Sequence, residues 1–556
     1  MPDYLKPNPE WEEHEKPSLP GSPGMPWHPP HVRLSYAMVG LLLGITGGLS
    51  NALVSANLPI LQGQLGLTPA EGAWLPAAYV MVNVTANLII YKCRQQFGMR
   101  LFAEIALGVY AVLALLHLAV GTFETTILVR AASGWSGAAC STLTMLYMLQ
   151  ALPRQYVGKM LVVGVGVSQL AVPIAWLISP LLLHNGTWHN LYLFEAGLAL
   201  CAFAAVVILK LPTGMHIRVL EKRDFLTFAL IAPAVAMIVA VIAQGYVRWW
   251  FDTPWLAWLL IGGIVLLAIA LFIEHHRSNP LVQTRWLMMG TTIRFLLGAF
   301  IIRFLTSEQT YGVVGLLRIL GMGPDQMQAL FGVVLAGTIV GIAASALSFS
   351  PRTILPQILA AICLFAVAGA LDYGRTSLDR PHDFYFSQFL VAVGAGMFVG
   401  PLIMIGFMQA LKRGADHVVT FTVGFAMTQS LGGLAGAAAL SSYQLYREHE
   451  YSSAIVAQVS RSDPQVALRL RQQAQVYGAV ITDPVLRNAQ GVAALGQAAR
   501  REANVRAYND VYALSATIAL LFLIWSFILT IRAIRQQKNE PPTPSPTPAA
   551  ASRPAS

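Results

Sequence analysis

Long apolar runs separated by short, mostly basic connectors dominate the hydropathy pattern of this chain. From Leu34 to Leu61 no Asp, Glu, Lys, Arg or His interrupts the run, and a helix needs only about 20 such residues to cross a bilayer. Comparable runs follow near 72–91, 101–120, 123–149, 158–182 and 190–210. Two more lie near 225–244 and 255–274, and six near 291–319, 327–348, 355–372, 385–411, 417–441 and 508–532. The pattern predicts an all-α polytopic membrane protein whose helices group six, two and six, fourteen spans in all.

Composition agrees with a chain whose solvent is lipid. Of the 556 residues, 56% are hydrophobic and 11% charged, too apolar for a soluble protein of this size. Lys and Arg are concentrated in alternate short connectors, which places those connectors on the cytoplasmic side, and the intervening short ones carry only Arg248, Arg318, Arg375 and Arg380. Lys92, Arg94 and Arg100 follow the second run, Arg154 and Lys159 the fourth, and Lys210, Arg218, Lys222 and Arg223 the sixth. Arg277, Arg285, Arg352, Lys412, Arg413, Arg532, Arg535 and Lys538 continue the parity, so both termini are expected in the cytoplasm. The net charge of +10 is therefore a topology signal, distributed loop by loop, and not a nucleic-acid footprint.

These boundaries divide the chain into a Pro- and acid-rich cytoplasmic tail (1–33), a six-helix bundle (34–210), and a two-helix insertion with its cytoplasmic flanks (211–290). A second bundle's first five helices (291–441), an external loop (442–509), the last helix (510–532) and a low-complexity disordered tail (533–556) complete it. The N-terminal tail reads as retained, because the apolar run behind it is too long for a signal-peptide core. Helix-favouring stretches such as SDPQVALRLRQQAQVYGAV make a packed helical cap of the loop, serving either as a connector or as a docking surface for a periplasmic adaptor. Cys93, Cys140, Cys201 and Cys363 have no metal or disulfide spacing and read as small apolar fillers.

Ionisable residues inside the runs carry the candidate chemistry, since each costs several kcal/mol at bilayer depth without a partner or a hydrated cavity. Counting residues from the run ends puts Arg130, Glu308, Ser50 and Asn51 in one layer of the outer third. A carboxylate beside a cation in a partly dry cavity can release its proton when a second ligand binds. Glu308 is thus the expected proton carrier, Arg130 its partner, and Glu195 a second carboxylate. A static ion pair that fixes packing fits the same placement, and Arg294 or Arg303 on the same run as Glu308 could neutralise it. Arg303, Ser50, Asn51, Met397 and Met404 are candidates for a substrate cavity. Glu104, four residues after Arg100, suits a structural pair on one helix face. Trp249, Trp250, Trp255 and Trp258 read as an interfacial belt. No P-loop, zinc pair or nucleophile with a base is present, so an enzyme is not expected and no cofactor is implied beyond a proton gradient.

LVRAASGWSGAAC, TWHNLYLFEAGLAL, FSQFLVAVGAGMFVGPL and REANVRAYNDVYALSA together resemble the fourteen-helix drug:proton antiporter branch of the major facilitator superfamily, the EmrB/QacA type. The resemblance spans nearly the whole length. It implies two six-helix bundles with a two-helix insertion, alternating access, and proton-driven efflux of amphiphilic or aromatic small molecules across a bacterial inner membrane. It also implies a periplasmic membrane fusion protein and an outer-membrane channel as partners. A narrow metabolite or siderophore transporter, or a non-transporting assembly partner, stays open. Three places depart from the family pattern. GLSNALVSANLP puts Ser50 where that branch carries an Asp, IIYKCRQQFGMRLF lacks the acid of its loop, and AVPIAWLISPLL lacks the glycines of its antiporter motif.

Overall fold

The computed structural model describes residues 11–12, 15, 17, 22–119, 121–184, 187–215, 220–459 and 462–539; about half of the expected tail 1–33 and most of the expected tail 533–556 fall outside these. Among the described residues the fold is helical, with a single isolated bridge between Pro23 and Gly214. The long helices are α1 (Pro30–Ala56), α2 (Pro69–Phe97), α3 (Met99–Ala119), α4 (Phe123–Gln150), α5 (Arg154–Leu183) and α6 (His189–Ile208). The inserted pair is α7 (Lys222–Arg248) and α8 (Pro254–His275). Then come α9 (Gly290–Ile319), α10 (Gln328–Leu347), α11 (Ile354–Asp372), α12 (Pro381–Leu411), α13 (Ala415–Gln458), α14 (Pro464–Val476) and α15 (Pro484–Asn539).

Thirteen helices are long and apolar enough to cross a membrane among the described residues, one fewer than the fourteen runs expected. The difference is α4, 28 residues long but rich in small and hydroxyl side chains and interrupted by Arg130. That composition is what close packing demands. A Cβ on Gly134 would lie 2.3 Å from the Tyr79 carbonyl oxygen, and one on Gly137 1.9 Å from the Tyr79 hydroxyl. With no side chain at either position, α4 lies directly against α2.

In the first half α1 packs on α4, α5 and α6, and α3 on α4 and α6; in the second, α9 packs on α13, α10 on α12, and α11 on α12 and α15. The halves meet along two seams, α5 against α10 and α12, and α2 against α13. At one end of the molecule Arg318 donates to the Ala56 carbonyl at 3.0 Å and lies 5.3 Å from the centre of the Trp176 ring. The described residues of 442–509 are mostly helical, and the expected boundaries at 441 and 509 fall inside helices. α13 continues past 441 to Gln458, α15 begins at Pro484 and runs unbroken into the last apolar run, and α14 packs on α15.

The insertion is tied in by charge. Lys92 bonds Asp224 at 2.8 Å, and Arg277 bonds Asp224, Glu221 and Glu274 at 2.9, 2.9 and 2.7 Å. Arg277 and Asn279 both donate to Glu221, which holds its carboxyl below the usual carboxylate range. The expected Arg100–Glu104 pair does not form. Arg100 donates to the Leu211 carbonyl, and Glu104 pairs with Lys210 at 3.4 Å, because the chain returning after α6 supplies nearer partners. All four cysteines are free.

Candidate functional site

Besides the ion pairs that tie in the insertion, each half holds a buried polar cluster within its helices. In the first, Arg130 is wholly buried and each of its three guanidinium nitrogens donates a hydrogen bond. Nη1 donates to the Ser50 carbonyl at 2.8 Å, Nη2 to Asn51 Oδ1 at 2.9 Å, and Nε to the Leu75 carbonyl at 3.5 Å; the Tyr79 ring centre lies 5.0 Å away. The shared depth of Arg130, Ser50 and Asn51 expected from residue counting is thus realised as direct contact. Glu195, 2% exposed, completes the cluster: it accepts from the Tyr110 hydroxyl at 3.3 Å and feels the Arg130 charge. The Ser50 hydroxyl lies beside Glu195 without closing a bond of ordinary geometry. On the first helix Ser50 stands where the resemblance led one to expect an acid, and Glu195 of α6 lies beside it.

Glu308 lies in the other half and does not meet Arg130. No ion pair joins the two among the described residues, and the charge that acts on Glu308 is that of Asp372. Equal depth in a membrane says nothing about lateral position, and α4 and α9 belong to different halves. Glu308, 2% exposed, opens a π-helical turn over Glu308–Val313. Such a turn displaces side chains from the regular helical register and recurs at functional sites. Among the described residues its Oε1 has no hydrogen-bond partner, and neither has the nearby Tyr512 hydroxyl. Asp372, fully buried at the end of α11, is well held by contrast. It accepts from Ser387 at 2.6 Å, Gln388 at 2.8 Å and Arg375 at 2.8 Å, and Gln309 reaches Gln388 at 3.1 Å. Asp372 was missed from sequence because the last position of an apolar run reads as interfacial; Arg375 three residues later was its only signal.

Neither Arg294 nor Arg303 neutralises Glu308. Arg294 donates to the Gly290 carbonyl within its own helix. Arg303 lies half-buried against Gly432 and Gly433 of α13, with Nε donating to the Gln429 carbonyl at 3.2 Å. No acidic side chain among the described residues pairs with it, so at mid-helix depth its head requires a polar interior and not hydrocarbon. Met404 lies at the seam between halves, its Cε 3.1 Å from where a Cβ on Gly158 of α5 would stand. Met397 packs against the second half's apolar core around Phe365, Val391 and Phe398. Of the four tryptophans, Trp250 turns inward and donates to the Ser442 hydroxyl at 2.8 Å.

A family model described as the Major Facilitator Superfamily matches residues 40–437. The curated relative "Uncharacterized transporter YebQ" of Escherichia coli (strain K12) is 23% identical over 183 residues, 32% of this chain and 39% of that protein. Among solved structures, tetrameric PepTSo2 aligns at TM-score 0.55 with 11% identity, over 90% of this chain and 99% of that one. The human organic anion transporter MFSD10 (TETRAN) aligns at TM-score 0.52 with 13% identity, over 88% of this chain and 100% of that one. These likenesses establish the fold.

Proposed function

From the premise that this chain belongs to the major facilitator superfamily, and so is a multi-pass membrane transporter and not an enzyme, we propose that it exports amphiphilic or aromatic small molecules in exchange for protons. The observation that carries the reading is Glu308, a carboxylate buried beside a second one, with an oxygen left unbonded on a π-helical turn. With Arg375 committed to Asp372, Glu308 pairs with no cation among the described residues. An uncompensated buried charge is costly, so in a closed state Glu308 carries the proton and gives it up when the site hydrates or cargo arrives. Glu195, clamped with Arg130, Ser50 and Asn51, is the corresponding carboxylate of the first half. Arg303, Met397 and Met404 contribute to the cargo path, polar at Arg303 and adaptable at the methionines.

In this reading α4 is the fourth of fourteen spans, its polar face buried by α1 and α2, and the basic connectors keep both termini in the cytoplasm of a bacterial inner membrane. The helical segment 442–509 then projects outside, where a membrane fusion protein leading to an outer-membrane channel would dock. Reconstituted proteoliposomes with an internal pH dye test the central part. Ethidium added to the wild-type protein is expected to drive a proton flux that Glu308→Gln reduces at least tenfold; undiminished flux in Glu308→Gln removes Glu308 as carrier.

A further inference from the structure

We infer that the inserted pair α7–α8 is a two-ended staple across the α2–α13 seam, which rides with the first half and slides against the second as the halves rock. The pair is bonded to both helices at both of its ends. At the cytoplasmic end Lys92 of α2 holds Asp224, and the backbone N–H of Gln283, just after α8, donates to Thr420 Oγ1 of α13 at 2.9 Å. At the opposite end Gln244 donates to the Ala70 carbonyl of α2 at 2.9 Å, and Trp250 donates to Ser442 of α13. Between these anchors α7 packs along both α2 and α13.

Alternating access moves one half against the other, so a body bonded to both must release one of them. The two cytoplasmic anchors are unequal. Lys92 and Asp224 form a charge-assisted bond with side chains 8% and 2% exposed, and Asp224 is held in turn by Arg277. Their separation would strand an ammonium group and a carboxylate away from water. Against α13 stands a single neutral hydrogen bond, with Leu281 and Val282 resting on the cluster that contains Val423. Apolar faces slide without leaving unpaired charge, so the α13 side yields first. The loop between α2 and α3 lacks an acid of its own, and Asp224 of the insertion provides one from outside the bundle.

The inference rests on rocking of the two halves and not on the nature of the cargo or on proton coupling. Its test is pulsed electron paramagnetic resonance on the full chain in nanodiscs, with spin labels at the exposed sites Gln155, Ser278 and Lys412. The Gln155–Lys412 pair reports rocking, compared at acidic and alkaline pH. When that distance shifts, Ser278–Lys412 is expected to shift with it while Ser278–Gln155 stays constant. A disulfide between Gln283→Cys and Thr420→Cys should abolish the shift and reductant restore it, whereas Asp224→Asn should broaden the Ser278–Gln155 distribution. A constant Ser278–Lys412 distance during rocking, or motion of both insertion pairs, overturns the inference. So does a Gln155–Lys412 distance that never changes, since a staple between immobile halves has nothing to yield.

Discussion

Replacing Arg130 by Met should be among the most destabilising single changes in the first half. The substitution keeps the length and apolar stem but removes the donors to Ser50, Asn51 and Leu75 and leaves Glu195 without its cation. Gross loss of three charge-assisted bonds, at about 1.5–3 kcal/mol each, would exceed what buried sites lose in practice, because neighbours relax and such terms are not additive. Removal of one partner from a buried charged cluster costs about 3–5 kcal/mol, which is the expected value here. Arg130→Lys should recover only part of it, since a point charge cannot reach three acceptors set for a planar fork. The assay is reversible unfolding in mixed micelles, extended to a double-mutant cycle with Glu195→Gln. Neutralising the carboxylate should reduce the penalty of Arg130→Met, giving a coupling energy of about 0.5–3 kcal/mol. A cost below about 1 kcal/mol for Arg130→Met would refute the clamp, and strict additivity would refute the pairing with Glu195.

Two further outcomes follow from the ion pairs and the inter-half contacts. Glu221 has its carboxyl held down by Arg277, so its contribution to stability is present above the usual carboxylate range and is lost as pH falls through the depressed value. Melting temperatures of wild type and Glu221→Gln should therefore differ at neutral pH and converge in acid; a difference that grows in acid would reverse the sign of the argument. Arg318→Ala removes the bond to the Ala56 carbonyl and the contact with Trp176. It should raise the labelling rate of a cysteine placed at Ala56, and an unchanged rate would mean that this contact does not hold the two halves together.

Much of the helical architecture was legible because bilayer thickness fixes how long an apolar run must be. The run over α4 illustrates the limit of that signal: the glycines that let it pack against Tyr79 also lower its apolarity below that of the other runs. The Arg130 cluster was half legible. Depth counting brought Ser50 and Asn51 to Arg130, but nothing in GLSNALVSANLP says that Glu195 of α6 stands where an acid was expected. The Arg130–Glu308 pairing failed for the complementary reason, since lateral position depends on which helices pack together. Asp372 of α11 and Tyr512 of α15 lie near Glu308, with Gln388 of α12 bonded to Asp372, and such convergence leaves no local trace. The Lys92–Asp224 bond likewise joins residues 132 positions apart.

Proton exchange at Glu308 is the central claim, and it is tested most directly without a membrane. Purified protein in a weakly buffered detergent solution containing a pH dye would be titrated with ethidium, and the protons released on binding counted for wild type, Glu308→Gln and Glu195→Gln. The account predicts release of a proton for each ethidium bound by wild type and by Glu195→Gln, and none from Glu308→Gln at preserved binding. Equal release from wild type and Glu308→Gln would contradict it.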